Sequence, residues 1–232
     1  MQPLDLYATI EEYLDFKQEM EKLYNAIKDI AIVKNPKTLI DIGCGQGEFC
    51  KLIESFDIET LGVDLSEKQI QIAKAKGINA KYIDIEDIKE KYDCATAVFD
   101  VVNYLPDDYI KRFLENSYNL LNKNGYFIFD INSLYGFEDV AQGALTIDED
   151  EKFIAIDANF VDKKLFTDIT LFSKDGKNYK KDFGTITQYY YTNEELKNML
   201  ISVGFIIEEI KYFNLHDSEQ SDKYIFICKK EK

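Results

Sequence analysis

Two hydrophobic rhythms alternate along this chain: short unbroken apolar runs, and apolar residues spaced three or four apart. The runs at 39–42, 59–64, 80–83, 94–99 and 126–131 read as strands buried on both faces, as parallel strands are. Helical spacing fills the gaps. Phe49, Leu52, Ile53 and Phe56 follow the first run, and 67–76 forms a helix that Gly77 stops. Ile110, Phe113, Leu114, Tyr118 and Leu121 line one side of a helix over 107–121, and Asn122 to Gly125 turns the chain into the fifth strand. A last helix opens at Thr192, carries Leu196, Met199, Leu200 and Val203 on its apolar stripe, and stops at Gly204. Segments 205–213 and 223–228 then predict a closing antiparallel pair of strands. Strand and helix in alternation predict an α/β fold with a mostly parallel, doubly wound sheet.

Two stretches leave this rhythm. A leader over 1–35 shows helical spacing in Leu6, Ile10, Tyr13 and Leu14, then in Met20, Leu23, Tyr24 and Ile27, until Asn35-Pro36 stops it. Between 134 and 191 the period changes to two. Leu165, Thr167, Ile169 and Leu171 face one way, Phe166, Asp168, Thr170 and Phe172 the other, and Asp175-Gly176 offers a hairpin turn into 180–191. The chain therefore divides into a helical leader (1–35), a core (36–133 with 192–232) and an antiparallel β insertion (134–191).

The first strand runs into Asp41-Ile-Gly-Cys-Gly-Gln-Gly47, with Glu48 opening the next helix. Strand, glycine loop and helix form the start of a nucleotide-binding half. A dinucleotide fingerprint would place its third glycine at 48 and its pyrophosphate on the helix N-terminus, but Glu48 stands there. Carboxylates at Asp41 and Glu48 would repel a diphosphate. A cationic ligand without phosphate suits them. Asp64 ends the second strand about 20 residues beyond the loop, where a carboxylate grips a ribose diol; it could instead only end the strand or support the capping box that begins at Ser66.

Composition narrows the partners. Acidic residues outnumber basic ones 43 to 28, a formal charge of −15 that disfavours an extended grip on nucleic acid. No apolar run approaches a membrane span, and Met-Gln-Pro-Leu-Asp-Leu lacks the signature of a signal peptide. Cys44, Cys50, Cys94 and Cys228 show neither Cys-x-x-Cys nor histidine companions at zinc spacing. A cytoplasmic protein with reduced thiols and no metal site is the expectation.

The stretch from Asp41 to Gly47 resembles motif I of the class I S-adenosylmethionine-dependent methyltransferases, and the likeness continues through most of the chain. The resemblance implies a Rossmann-like seven-stranded sheet with helices on both faces. It also implies S-adenosyl-L-methionine as cofactor, S-adenosyl-L-homocysteine as product, and a cofactor site at Asp41, Gly43, Cys44, Gly45 and Gly47. Asp64 and Leu65 would meet the ribose, and Asp84 and Ile85 the adenine. Phe99 and Asp100, with Asn103 and Tyr104 just beyond, would face the cofactor and its methyl group. In this family leader helices carrying tyrosines often serve as a lid; packing against the sheet edge is the other reading. An insertion after strand five resembles that of glycine and amino-sugar N-methyltransferases and implies a small-molecule acceptor.

Methyl transfer from a sulfonium demands alignment first and a base only where the nucleophile arrives protonated. The single histidine, His216, is the first candidate base, although an exposed loop histidine would read the same. Tyr104 and Tyr13 are further catalytic candidates, beside Tyr7 and the 189–191 tyrosine run; each also fits a packing role. Two alternatives stand: a silent cofactor-binding protein, and a nicotinamide-dependent oxidoreductase, against which Glu48 and the lack of a Tyr-x-x-x-Lys pair count.

Overall fold

In the computed structural model, which describes residues 2–231, the leader is two helices. Helix α1 (Pro3–Ile10) begins at a proline, whose missing N–H costs nothing in a first turn. A 3-10 turn over Glu11–Tyr13 joins it to α2 (Lys17–Val33). The core follows as β1 (Thr38–Ile42), α3 (Glu48–Glu54), β2 (Glu59–Asp64), α4 (Glu67–Ala75), β3 (Ala80–Tyr82), β4 (Tyr92–Ala97), α5 (Asp107–Asn119) and β5 (Leu121–Asn132). The insertion supplies β6 (Gly143–Glu149), β7 (Lys152–Val161), β8 (Lys164–Asp175) and β9 (Asn178–Tyr189). The core then closes with α6 (Asn193–Val203), β10 (Ile206–Phe213) and β11 (Lys223–Lys229).

The main sheet has the order β10-β11-β5-β4-β1-β2-β3, parallel from β3 through β5. Strand β11 runs antiparallel to both its neighbours, so β10 is again parallel to the core strands. Its C-terminal end thus lies on the crevice side, where open α/β sheets bind ligands. Alternate residues of each strand feed two apolar layers. Leu39, Cys94, Ile128 and Ile227 meet α2 and α3 through Leu23, Ile27, Phe49 and Ile53. Ile40, Ala95, Phe127 and Phe226 meet α5 and α6 through Ile110, Leu114, Leu196 and Leu200. All four cysteines are buried thiols. Among the described residues no helix is long and apolar enough to cross a membrane.

Three boundaries differ from the sequence expectation. Strand β4 stops at Ala97 because Phe99 and Asp100 take left-handed φ of 64° and 62°, which no strand accommodates. Asn122 to Gly125 is not a turn before β5 but a bulge within it: Tyr92 pairs Leu121 while Cys94 pairs Tyr126. Strand β6 carried only a weak signal, since most of its residues are exposed and its apolar alternation is limited to Leu145 and Ile147.

The leader divides by burial. Helix α2 is part of the core, with Leu23, Ile27 and Ala31 fully buried. Helix α1 instead sets Leu6 and Ile10 against Ile154, Ile169, Leu171 and Ile186 on the inner face of the four-stranded insertion sheet. It is tied to the core at α4, where Ser66 Oγ donates to Asp5 Oδ1 at 2.6 Å and Lys68 Nζ to Thr9 Oγ1 at 2.6 Å.

Candidate active site

Two cavities share a wall at the C-terminal ends of the core strands. The first, about 320 Å³, lies between the glycine loop, the ends of β2 and β4, and the leader. The second, about 400 Å³, lies between the core and the insertion sheet. Tyr7, Leu14, Phe16, Phe99, Asp100 and Tyr104 line both, so the two cavities are neighbours across these side chains.

Gly43, Cys44 and Gly45 line the first cavity. A Cβ on Gly45 would meet no atom within 4 Å, so the loop leaves an open cradle there. Gly47 serves the turn itself: its φ is 83°, and a Cβ would stand 2.9 Å from Ile78. Asp41 lies elsewhere than expected. It is 2% exposed behind the loop, accepting a hydrogen bond from Thr96 Oγ1 at 2.7 Å, and is not on the cavity wall. Burial pushes its carboxyl up to about 7, against the bonds from Thr96 and Cys50 and assisted by the nearby Asp64 charge. The folded protein therefore holds a proton at Asp41 that the unfolded chain has released, and stability should fall as pH rises from about 4 to about 7. Asp41→Asn, which keeps an acceptor for Thr96, should remove that decline. The variant should gain on the parent between pH 5 and pH 8, on the order of 2–4 kcal/mol in denaturant unfolding. An equal stability difference at both pH values would refute a buried, proton-sharing Asp41.

Asp64 sits at the mouth of the loop, where Gly45 N donates to Oδ2 at 3.0 Å and Ser66 N to Oδ1 at 2.7 Å. Burial raises its pKa, while those backbone amides oppose the shift. Ser66 also caps α4 through Gln69 N at 3.2 Å, but the expected box is only half made. The side chain of Gln69 turns instead to Glu11 Oε2 at 2.9 Å, which Gln46 Nε2 of the glycine loop also reaches at 3.0 Å. Glu11, which sequence reasoning missed, thus fastens the leader to both the loop and α4. Leu65, Asp84 and Ile85 line the first cavity too, and Asp84 accepts from Tyr109 Oη at 2.9 Å, another residue not anticipated.

Phe99 and Asp100 form the partition between the cavities, and their left-handed turn needs support. Asp130, at the end of β5, supplies it: Phe99 N donates to Oδ1 at 2.7 Å and Asp100 N to Oδ2 at 3.3 Å. Lys223, at the start of β11, bonds Asp130 Oδ2 at 2.9 Å, Asn132 Oδ1 at 3.0 Å and the carboxylate of Asp100. Burial drives Asp130 up to about 6, with the Lys223 charge pulling it down and the Asp100 charge pushing it up. Lys223 is 3% exposed and stays protonated, since the two carboxylates outweigh its desolvation. No sequence signal marked this lysine; only the antiparallel register Lys223↔Asn132 brings it there.

The catalytic candidates separate. Tyr104 is on the shared wall, and burial together with the Asp100, Glu11 and Asp64 charges holds its phenol protonated far above neutral pH, which suits a hydrogen-bond donor and not a base. Tyr13 is not among the residues lining either cavity; its hydroxyl accepts from Lys152 Nζ at 2.6 Å. His216 lines the second cavity, and its Nδ1 lies 2.6 Å from Asp222 Oδ2. Asn103 is a strut, donating to Tyr189 O at 2.8 Å and accepting from Asn132 N at 3.0 Å. The 189–191 tyrosines also serve packing, with Tyr191 Oη bonded to Leu105 O at 2.6 Å and Tyr190 edge-on to Phe137.

The first cavity carries carboxylates at Glu11, Glu48, Asp64, Asp84 and Asp100, and among the described residues neither lysine nor arginine lines it. Asp41 is not one of them, and Glu48 is paired with Lys76, so the field comes largely from residues other than the two beside the loop. Such a wall rejects a diphosphate and fits an adenosyl sulfonium that also bears an ammonium group. The open cradle at Gly45 and the strand-end acid Asp64 fit its nucleoside part.

Comparison with known proteins agrees. The family model for a methyltransferase domain matches residues 13–210. The chain is 28% identical to a protein of Geobacillus sp. (strain WCH70) called a methyltransferase, over 96% of this chain and 94% of that one. It is 25% identical to the similarly named YqeM of Bacillus subtilis, over 84% of each. In backbone it resembles an S-adenosylmethionine-dependent methyltransferase of Clostridium acetobutylicum (TM-score 0.77, 24% identity, 99% of this chain and 98% of that one). It also resembles the sugar N-methyltransferase KedS8 of Streptoalloteichus (TM-score 0.75, 16% identity, 99% and 93%). A cavity walled by carboxylates, a seven-stranded sheet and a family match across most of the chain meet in one conclusion: the chain belongs to the class I S-adenosylmethionine-dependent methyltransferases.

Proposed function

We propose that the chain transfers a methyl group from S-adenosylmethionine in the first cavity to a nitrogen or oxygen of a small molecule in the second. The observation that carries this reading is the partition: two cavities of ligand size meet at Tyr7, Phe99, Asp100 and Tyr104 and nowhere need a polymer-sized groove. Bound there, S-adenosylmethionine supplies a methyl group on a sulfonium, a good leaving group that needs alignment above all. Gly43, Cys44, Gly45 and Gly47 shape its seat, Asp64 and Leu65 hold the ribose, and Asp84 and Ile85 hold the adenine. Phe99 and Asp100 close the seat on the methyl side, while Asp41 acts from behind the loop. Tyr104 orients and screens from the shared wall, and α1 with the 3-10 turn acts as the lid, latched by Glu11. The insertion roofs the acceptor.

Acceptor charge follows from the second wall. It carries Glu19, Asp100 and Asp222 against Lys223, which is already engaged with Asp100 and Asp130. With no free cation among its described lining residues, this cavity disfavours phosphates and carboxylates and accepts neutral or cationic molecules. Fold relatives described as acting on a sugar nitrogen and on an amino pentose support a compact acceptor of this kind. Calorimetric titration should show binding of S-adenosylhomocysteine and none of NAD. Formation of S-adenosylhomocysteine should then appear with uncharged ring amines or phenols and not with their carboxylated counterparts. Equal turnover of the carboxylated compounds would overturn the acceptor assignment and leave the cofactor assignment standing.

A further inference from the structure

The loop between β10 and β11 holds an acid–imidazole pair on the wall of the second cavity. Leu215 is buried in the core and anchors the loop, and Lys22 Nζ of α2 bonds its carbonyl at 3.1 Å. Asn214 closes the loop on itself, accepting from Ser218 N at 2.9 Å and reaching Ser218 O with its amide nitrogen. His216 is thereby held out from the core and onto the cavity wall.

Asp222 grips His216 twice. The ring Nδ1 is 2.6 Å from Oδ2, and the His216 amide donates to the same oxygen at 3.0 Å, while Leu215 N donates to Oδ1 at 2.6 Å. Burial opposes a charge on Asp222, but the His216 ring and the two backbone amides outweigh it and hold the acid below its ordinary value. A charged carboxylate only accepts, so the proton of that short contact belongs to Nδ1, and the lone pair of the neutral ring is on Nε2.

The acid is itself clamped. Its side chain is 2% exposed, its carbonyl accepts from Ser133 N at 2.8 Å, and a Cβ on Gly136 would stand 2.3 Å from that carbonyl oxygen. Only glycine lets the start of the insertion pass so close. The next residue, Lys223, grips Asp100 on the partition. One dipeptide therefore positions the imidazole on one side of the acceptor cavity and the cofactor-facing turn on another.

We propose that His216 is the general base of the transfer, taking through Nε2 the proton that leaves the acceptor's N–H or O–H, with Asp222 as the residue that positions it. The inference rests on the methyltransferase reading above. As the acceptor's lone pair bonds to the methyl carbon, the C–S bond breaks with its electron pair going to sulfur. The acceptor proton passes to Nε2, and the imidazolium later releases it to solvent. The remaining charges around the ring are Asp217, paired with Lys22 at 2.5 Å, Glu19 from α2, and the engaged Lys223. None of them is bonded to Nε2.

His216 is the only histidine, so its ring nitrogens are unambiguous in ¹⁵N NMR of the full chain with S-adenosylhomocysteine bound. The neutral ring should carry its proton on Nδ1, and Asp222→Asn should release that preference; a proton on Nε2 in the parent protein would overturn the proposal without any acceptor being known. With the ring amine or phenol that turns over, His216→Gln should lower kcat about 100-fold or more. Asp222→Asn should lower kcat by about 10-fold or more with KM little changed, because a positioning residue acts through tautomer and orientation. Binding of S-adenosylhomocysteine should stay within about twofold in both variants, which separates loss of the base from failure of the cofactor assignment. A His216→Gln variant that binds S-adenosylhomocysteine and turns over at the parent rate would equally end the proposal.

Discussion

Replacing Lys223 with methionine should cost about 3–5 kcal/mol of stability, the penalty for leaving buried carboxylates without their cation. Lys223 is 3% exposed and Asp130 fully buried, so solvent cannot screen the loss. The penalty should depend on pH in a stated direction. Asp130 already stands at about 6 with the lysine present, and without it the acid must rise further. The variant can then relieve the buried charge by taking up a proton, so the deficit should be larger at pH 8 than at pH 5.5. Because Asp130 also holds the amides of Phe99 and Asp100, affinity for S-adenosylhomocysteine should fall together with stability. Urea unfolding at both pH values, paired with calorimetry, tests this; a pH-independent deficit below about 1 kcal/mol would show that the cluster is not the keystone of the partition.

Asp64→Ala should weaken binding of S-adenosylhomocysteine by about 100-fold or more, since hydrogen bonds to a charged group contribute about 1.5–3 kcal/mol each and a ribose diol offers two. The geometry adds a complication and a control. Asp64 also accepts the amides of Gly45 and Ser66, so alanine loosens the loop as well as removing the ligand contact. Asp64→Asn keeps an oxygen for one of those amides while removing the charge. If the carboxylate serves the ribose, both variants should bind weakly and melt close to the parent temperature. Wild-type affinity in Asp64→Ala would remove the ribose assignment.

The sequence was most legible where a local backbone demand dictates residue type. Three glycines, a strand-end acid at Asp64 and turn acids at Asp84 declare themselves because few other residues satisfy those positions. The electrical argument reached the right ligand class through partly wrong residues: Asp41 lies behind the loop and Glu48 is paired with Lys76. Glu11, Asp64, Asp84 and Asp100 supply most of the acidic wall beside the paired Glu48, and the placement of Glu11 depends on how the leader folds back. Truncating the whole leader would test little, because α2 is built into the core through Leu23, Ile27 and Ala31 while its Glu19, Met20 and Tyr24 line the cavities beside α1.

By itself, then, the sequence determined the alternating core, the nucleotide loop and the cationic character of its ligand, since these follow from periodicity, from conformations that only certain residues adopt and from the acids beside the loop. Tertiary structure alone decided the partition and the pair beside it. Asp130 and Lys223 lie 93 residues apart and meet through strand register, and Asp222 meets His216 because a glycine at 136 admits its backbone. Such contacts depend on sheet order and close approach, and neither leaves a mark in the composition or spacing of the segments involved.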